Sequence, residues 1–357
     1  MECEKMRTFD YTKLKERKWD SEILGLVAQI HEFKGRQELY LKQKPVELDR
    51  LIEIAKVQST ESSNEIEGIR TTNTRLKQLC TDKTTPRNRD EEEIMGYRDV
   101  LNTIHENYEY IPIRSNYILQ LHRDLYKYSE KNIGGNFKNT QNYISAIDGD
   151  GNEFVLFTPL APYEVPTAIN KLCEGYNAAV SAQDIDALIL IPIFIHDFLC
   201  IHPFSDGNGR VSRLLSLFLL YKSGYDVGKY VSFEEQINES KDFYYEALQE
   251  SSIGWHTNEN SYFEYMKNFL SMLYKCYKEL DKRFSTVNGK KLKKTERVEQ
   301  TVLNSVLPVS KAEICDILPD VSPSTVEAVL GKMVKTGSVM KLGQARATKY
   351  VNAKYIK

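Results

Sequence analysis

The 357 residues carry 48 lysines and arginines against 50 aspartates and glutamates, a formal net charge of −2, which excludes a polycation that coats nucleic acid by charge alone. At 41% hydrophobic and 27% charged, the chain is no disordered polyelectrolyte, and its length suits two or three domains. Its longest apolar run, Ala187 to Ile195, contains Pro192 and is too short for a bilayer, and Met1-Glu2-Cys3-Glu4-Lys5 lacks the apolar stretch of a secretory signal. The six cysteines are scattered without a CxxC pair, so free thiols in a cytoplasmic protein are expected, with no membrane contact.

In chain order the periodicity predicts a mainly α protein. Leu51, Ile54, Ala55 and Gln58 begin a helix that runs to Glu67-Gly68, where glycine offers a stop. Helices are predicted over 91–105, 116–128, 165–179 and 186–200, the last apolar almost all round and so central. Between the helices over 116–128 and 165–179, two β-prone runs flank Asp148-Gly149-Asp150-Gly151-Asn152 and predict a β-hairpin. The alternating acidic residues there do not make a calcium loop: its sixth position is Glu153 rather than glycine, and its twelfth is Pro159 rather than glutamate. Further helices are predicted over 209–222, closed by Gly224, and over 243–249 and 262–280.

A lysine-rich stretch around Gly289 predicts a linker over 281–294. From Asn288 to the end there are 13 basic and 6 acidic residues, net +7, which leaves −9 for the rest. Helices are expected over 295–307, 310–318 and from Ser322-Pro323 to Gly337, followed by a hairpin around Gly343-Gln344-Ala345-Arg346. Three helices and a hairpin are similar to a winged helix-turn-helix, with Ser324, Thr325, Glu327 and Ala328 facing outward. The basic charge suits DNA and the arginine-poor third helix suits protein docking, so both partners stay open for residues 295–357.

The chemistry concentrates in His202-Pro203-Phe204-Ser205-Asp206-Gly207-Asn208-Gly209-Arg210-Val211-Ser212-Arg213. An apolar helix ends just before this stretch and another begins within it, at about Gly209. Glycines let backbone approach a ligand, and a helix N-terminus presents free N–H groups, which together suit phosphates. Arg210 and Arg213 lie three apart on one helical face and can grip further phosphate oxygens. Asp206 is a hard oxygen ligand suited to Mg²⁺, and His202 can take a proton from an attacking hydroxyl. Base, metal carboxylate, anion nest and paired arginines describe nucleotidyl or phosphoryl transfer. His122 and His196 fall within apolar helical patterns and are expected to be packing residues.

The stretch resembles the signature of the Fic family (filamentation induced by cyclic AMP), HxFx[DE]GNGRxxR, at every specified position, and the resemblance extends over about 117–275. It implies an all-helical core with the hairpin as a flap at the active-site rim. It further implies transfer of AMP from ATP to a protein hydroxyl on a Ser, Thr or Tyr, with release of pyrophosphate. On this resemblance His202 is the general base, Phe204 the anchor of the loop and Asp206 the Mg²⁺ ligand. Gly207, Asn208 and Gly209 form the anion hole, Arg210 binds phosphate, Arg213 reaches the γ-phosphate, and Tyr245 lines the adenine pocket. Members that act as kinases carry lysine in place of the second motif glycine; Gly209 is intact here, which favours AMP transfer.

Upstream, Ser63-Asn64-Glu65-Ile66-Glu67-Gly68 resembles the inhibitory motif [ST]xxxE[GN] of members that carry their own brake. Spacing i, i+4 places Ser63 and Glu67 on one helical face, and a carboxylate offered to Arg213 would occupy the arginine needed by the γ-phosphate. The resulting expectation is an autoinhibited protein adenylyltransferase. Its divisions are a helical region 1–111, a core 112–280, a linker 281–294 and a winged-helix unit 295–357. A homo-oligomer is possible on this reading. The alternatives are a hydrolase that removes AMP, in which Glu67 aligns a water, and a nucleotide-sensing DNA-binding regulator.

Overall fold

The computed structural model describes residues 7–43, 45–81, 84–130, 133–147, 152–288, 293–303, 308–318, 321–343 and 348–353. A 3₁₀ turn, Tyr11–Glu16, precedes α1 (Ser21–Gln43), α2 (Pro45–Ile66), α3 (Asn73–Cys80), α4 (Arg89–Asn107) and α5 (Ser115–Leu125). The hairpin strands β1 (Ile144–Ile147) and β2 (Glu153–Phe157) follow. Then come α6 (Val165–Ala182), α7 (Ala187–Ile201), α8 (Asn208–Lys222), α9 (Phe233–Glu239), α10 (Lys241–Ser252) and α11 (Phe263–Asn288). The chain closes with α12 (Lys294–Leu303), β3 (Val309–Ser310), α13 (Lys311–Ile317), α14 (Pro323–Lys335), β4 (Val339–Leu342) and β5 (Lys349–Asn352).

Caps fix several starts. The Asn88 side chain accepts from the Glu91 N–H, Asp186 from Leu188, and Ser322, followed by Pro323, from Thr325. Helices α1, α3 and α9 are not anticipated by the periodicity, and α2 begins at Pro45, where a missing N–H is harmless at a first turn. The expected linker is corrected in its first part. α11 continues through residues 281–288, because no glycine or proline interrupts the sequence before Gly289. Among the described residues no helix is long and apolar enough to cross a membrane.

The chain divides into two compact units, Met1–Gly35 with Ala55–Tyr277, and Arg36–Ile54 with Lys278–Lys357. In the first, α7 is the axis: every residue from Leu188 to Ile201 is buried, and α6 and α8 pack along it. Its one carboxylate is fully provided for. Asp197 accepts from Tyr11 Oη at 2.5 Å, Trp255 Nε1 at 2.6 Å and Arg7 Nη2 at 2.6 Å, so that its desolvation is offset by donors on three sides. The hairpin forms as expected, β1 antiparallel to β2 with Ser145 opposite Val155 and Ile147 opposite Glu153; most of its turn, residues 148–151, lies outside the described residues.

The second unit has its own core, in which Val298, Val302, Ile314, Val326, Leu330 and Val339 are buried together. Its three strands lie in the order β3-β5-β4, antiparallel, with Val309 opposite Tyr350 and Met340 opposite Val351. Ser310 and Glu313 form a capping box at the start of α13. The expected hairpin turn at Gln344 to Arg346 lies outside the described residues.

Candidate active site

The loop between α7 and α8 collects the motif. His202 caps α7 in a left-handed conformation, φ +50°, and its N–H donates to the Phe198 carbonyl at 3.0 Å. Its Nδ1 lies 3.2 Å from the Leu199 carbonyl. A carbonyl can only accept, so Nδ1 holds the proton and Nε2 is left with the lone pair. Burial pushes the imidazole down to about 4, which keeps it neutral near pH 7.

The loop is braced from below. Phe204 is fully buried and stacks on His122 with centroids 3.8 Å apart and rings 4° from parallel. The Gly135 N–H donates to His122 Nδ1 at 3.0 Å, which leaves Nε2–H to donate to the Asp206 carbonyl at 3.1 Å. Burial pushes His122 down to about 4 as well. The Asn208 side chain turns back into the loop, accepting from the Phe204 N–H at 2.9 Å and donating to the Phe204 carbonyl at 2.8 Å. What it can offer a ligand is therefore its backbone N–H. Lys138 ties the segment before the flap to the same loop: its N–H donates to the Pro203 carbonyl at 2.9 Å and its Nζ to Asn142 at 2.7 Å. Burial pushes Lys138 down to about 8.

Gly207 is required by its backbone, and Gly209 is closely approached by a neighbouring side chain. Gly207 has φ +82°, and a Cβ there would lie 2.9 Å from Tyr126 Oη. A Cβ on Gly209 would lie 2.3 Å from Glu67 Oε1. Past them, the first N–H groups of α8 have no intrahelical acceptor and carry the positive end of the helix dipole.

Arg210 and Arg213 are both 2% exposed. Arg210 Nη2 donates to Tyr126 Oη at 2.7 Å and lies 2.7 Å from Glu93 Oε2; its Nε and Nη1 have no partner among the described residues. Buried guanidinium donors without acceptors are what an anion site presents. Glu93, itself 1% exposed, also accepts from Arg89 Nε at 2.7 Å. Asp206 stands at the mouth, its side chain 41% exposed, with Oδ1 accepting from the Gly207 N–H at 2.7 Å and Oδ2 3.8 Å from Arg89 Nη2.

Arg213 is claimed by α2. Its Nε donates to Ser63 Oγ at 2.8 Å, and its Nη2 to the Ser63 carbonyl at 2.9 Å and to Glu67 Oε1 at 2.7 Å. Burial alone would raise the Glu67 carboxyl; the guanidinium of Arg213, with Arg210 and Lys241 behind it, outweighs burial and lowers it below the ordinary range. Gly68 follows in a left-handed conformation and ends the turn. Tyr245, 41% exposed, lines a groove of about 650 Å³ between the flap and α10, together with Ile144, Leu156, Phe157 and Trp255. The groove is largely apolar, as a heterocycle or a target side chain would need.

The structure thus brings His202, Asp206, Gly207, Asn208, Gly209, Arg210, Arg213, Glu67 and Ser63 around one cradle. Glu93, Tyr126 and Lys138 belong to it too, and nothing in the sequence marks them. They are ordinary residues, remote from the motif, that acquire a role only when α4, α5 and the segment before the flap pack on the loop. Among the described residues no group of three or more His, Cys, Asp or Glu could hold a metal ion. A single carboxylate beside unsatisfied arginine donors does fit Mg²⁺ arriving with phosphates, since that ion dehydrates reluctantly and takes few protein ligands.

The family model described as Fic/DOC family matches residues 112–220. The chain is 29% identical over 108 residues to protein adenylyltransferase fic-1 of Caenorhabditis elegans, a match that covers 30% of this chain and only 19% of that protein. It is 30% identical over 138 residues to a Fido domain-containing protein of Dictyostelium discoideum, covering 36% of this chain and 96% of that one. Among solved structures, a Fic family protein from Desulfovibrio desulfuricans matches with a TM-score of 0.60 over 94% of this chain and 97% of that one. At 17% identity this last likeness is one of fold.

Proposed function

Because the chain belongs to the Fic/DOC family, we propose that it transfers AMP from ATP to a hydroxyl side chain of a target protein or of itself, restrained by Glu67. The observation that carries the reading is the buried, half-satisfied Arg210 over the first turn of α8, next to a neutral His202. In the proposed reaction the target hydroxyl oxygen attacks the α-phosphorus, its proton passes to His202 Nε2, and pyrophosphate departs from the opposite side. The N–H groups of Asn208, Gly209 and Arg210 and the free guanidinium donors of Arg210 hold the phosphate oxygens where charge develops. Asp206 would hold Mg²⁺ against the phosphates, where the ion would neutralise charge on the leaving group. The groove at Tyr245 would take the adenine.

The brake rests on the Arg213–Glu67 pair. With the guanidinium occupied, the γ-phosphate loses its anchor and the α-phosphate is not aligned for in-line attack. A charge-assisted bond of this kind contributes about 1.5–3 kcal/mol, so its removal is expected to raise the competent fraction about tenfold or more. The test is label transfer from α-labelled ATP with Mg²⁺, parent against Glu67→Gly, with the protein alone and with a cell lysate. Mass spectrometry of the labelled proteins then names the target. Glu67→Gly is expected to label about tenfold more than the parent; equal labelling by a folded, ATP-binding variant removes the brake. AMP release from a modified protein by the parent, abolished in Glu67→Gly, supports the hydrolase instead.

A further inference from the structure

A helix ends with four carbonyls that no helical N–H can reach, and each must find another donor or water. In α2 the donors to all four can be named. The Ser63 carbonyl accepts from Arg213 Nη2 at 2.9 Å. That of Asn64 accepts from the N–H groups of Glu67 and Ile69 at 3.1 and 3.0 Å, and that of Glu65 from the Gly68 N–H at 2.9 Å. The Ile66 carbonyl, on the residue next to Glu67, accepts from Lys241 Nζ at 2.6 Å. Two of the four carbonyls are therefore served by local turn amides, and two by cations from other parts of the fold, set where the negative end of the helix dipole favours them.

One of those cations is the arginine that the γ-phosphate needs. The other lies outside the motif, at the first position of α10. Lys241 continues a line of polar ties between α9 and α2: Ser59 Oγ donates to Ser232 Oγ at 2.9 Å, Gln58 Nε2 to Glu235 at 3.0 Å, and Asn238 Nδ2 to Glu65 at 3.0 Å. These ties come from successive points along α9 and from the start of α10, so the segment runs beside the last turns of the brake helix.

We propose that Lys241, with Asn238, is a positioning residue for the brake: it fixes the last turn of α2 so that Glu67 meets Arg213. The inference rests on the reading of Glu67 as a brake and adds how firmly that brake is set, and from where. Withdrawing the ammonium frees the Ile66 carbonyl and loosens the turn. Glu67 then leaves Arg213 more often, although neither residue of the pair has changed. The Lys241 ammonium also lies 5.8 Å from the centre of the Tyr245 ring, so the Glu67→Gly background is what separates an effect through the brake from one through the groove.

The experiment uses the full chain with α-labelled ATP and Mg²⁺, reading self-labelling, and titration calorimetry with ATP and with ADP. Lys241→Met is expected to raise labelling roughly three- to tenfold and to strengthen ATP binding more than ADP binding, because only ATP carries the γ-phosphate that competes with Glu67. Lys241→Arg, which keeps a donor and a charge, is expected to stay near the parent. Asn238→Asp, which sets a carboxylate against Glu65, should activate in the same direction and guards against misfolding of one variant. In the Glu67→Gly background neither Lys241→Met nor Asn238→Asp should add anything. If Glu67→Gly activates while both α9–α10 variants match the parent, or if they activate equally without Glu67, Lys241 does not act through the brake. If Glu67→Gly does not activate at all, the brake itself falls, and this inference with it.

Discussion

His202 holds a backbone conformation that L-residues avoid, at a cost of order 1–3 kcal/mol, and it is kept there by the α7 cap and by the packing of Phe204 beneath the loop. Its burial sets a sign. The folded imidazole titrates near 4 instead of 6.5, so on acidification the unfolded chain takes up this proton first. The stability linked to His202 is whole above about pH 6.5 and is lost as the pH falls toward 4. The same shift predicts that kcat/KM for AMP transfer keeps its base down to about pH 4, so a pH–rate profile should show its acid limb there and not near 6.5. His202→Ala is expected to lose on the order of 10²–10⁴ in transfer rate while binding ATP nearly as well, by calorimetry. Unchanged transfer would remove His202 from the chemistry. At this scale the sequence was most informative where the site is continuous. Residues from His202 to Arg213 could be read together because one loop carries them. Glu93 and Tyr126 could not, because their meeting with Arg210 depends on how α4 and α5 pack.

The flap is a two-stranded element whose second strand shows Phe154 and Val155 at 46% and 53% exposure. Its backbone can pair with an added strand, and the groove beside Tyr245 lies at its foot. Proline at Val155 removes an N–H from this strand. We expect Val155→Pro to lower modification of a protein target several-fold while ATP affinity stays within about twofold, measured by label transfer and calorimetry; equal loss of both would mean that the flap shapes the nucleotide site instead. Elements with strong periodicity or turn chemistry were legible: the hairpin, α4, α6, α7 and α8 lie where the pattern puts them. α1 was silent because its apolar residues are diluted by charged ones on every side, and α3 and α9 because eight and seven residues are too few to show a period. α11 ran past its expected end because a lysine-rich composition does not stop a helix; glycine or proline does.

Over the whole chain the charge is uneven, +7 from Asn288 onward and −9 before it, while the net is −2. In the second unit Lys335, Lys341 and Lys349 are exposed, as is Lys332, which lies 3.4 Å from Glu299, and Glu327 on α14 is paired with Lys311. Four phosphate contacts would give a log–log salt slope of about −3.6, a fall of roughly 10²-fold in duplex DNA affinity between 50 and 200 mM salt. A fluorescence-anisotropy titration of the full chain at both salts is expected to show that fall. No retention of duplex at 50 mM salt would remove the DNA reading of residues 295–357. This partner was the least legible part of the sequence, because a helix-rich basic unit serves either purpose and the distinction lies in a surface, not in a motif.

The close approach of Gly209 to Glu67 has a steric consequence. A single added carbon at 209 would stand 2.3 Å from the Glu67 carboxylate and 3.2 Å from Arg213 Nη1. The crowded atom is the far end of a flexible side chain, so a side chain at 209 would press the carboxylate aside rather than be forbidden. Positions 209 and 67 therefore compete for one space, and bulk at the first can displace the charge at the second from Arg213.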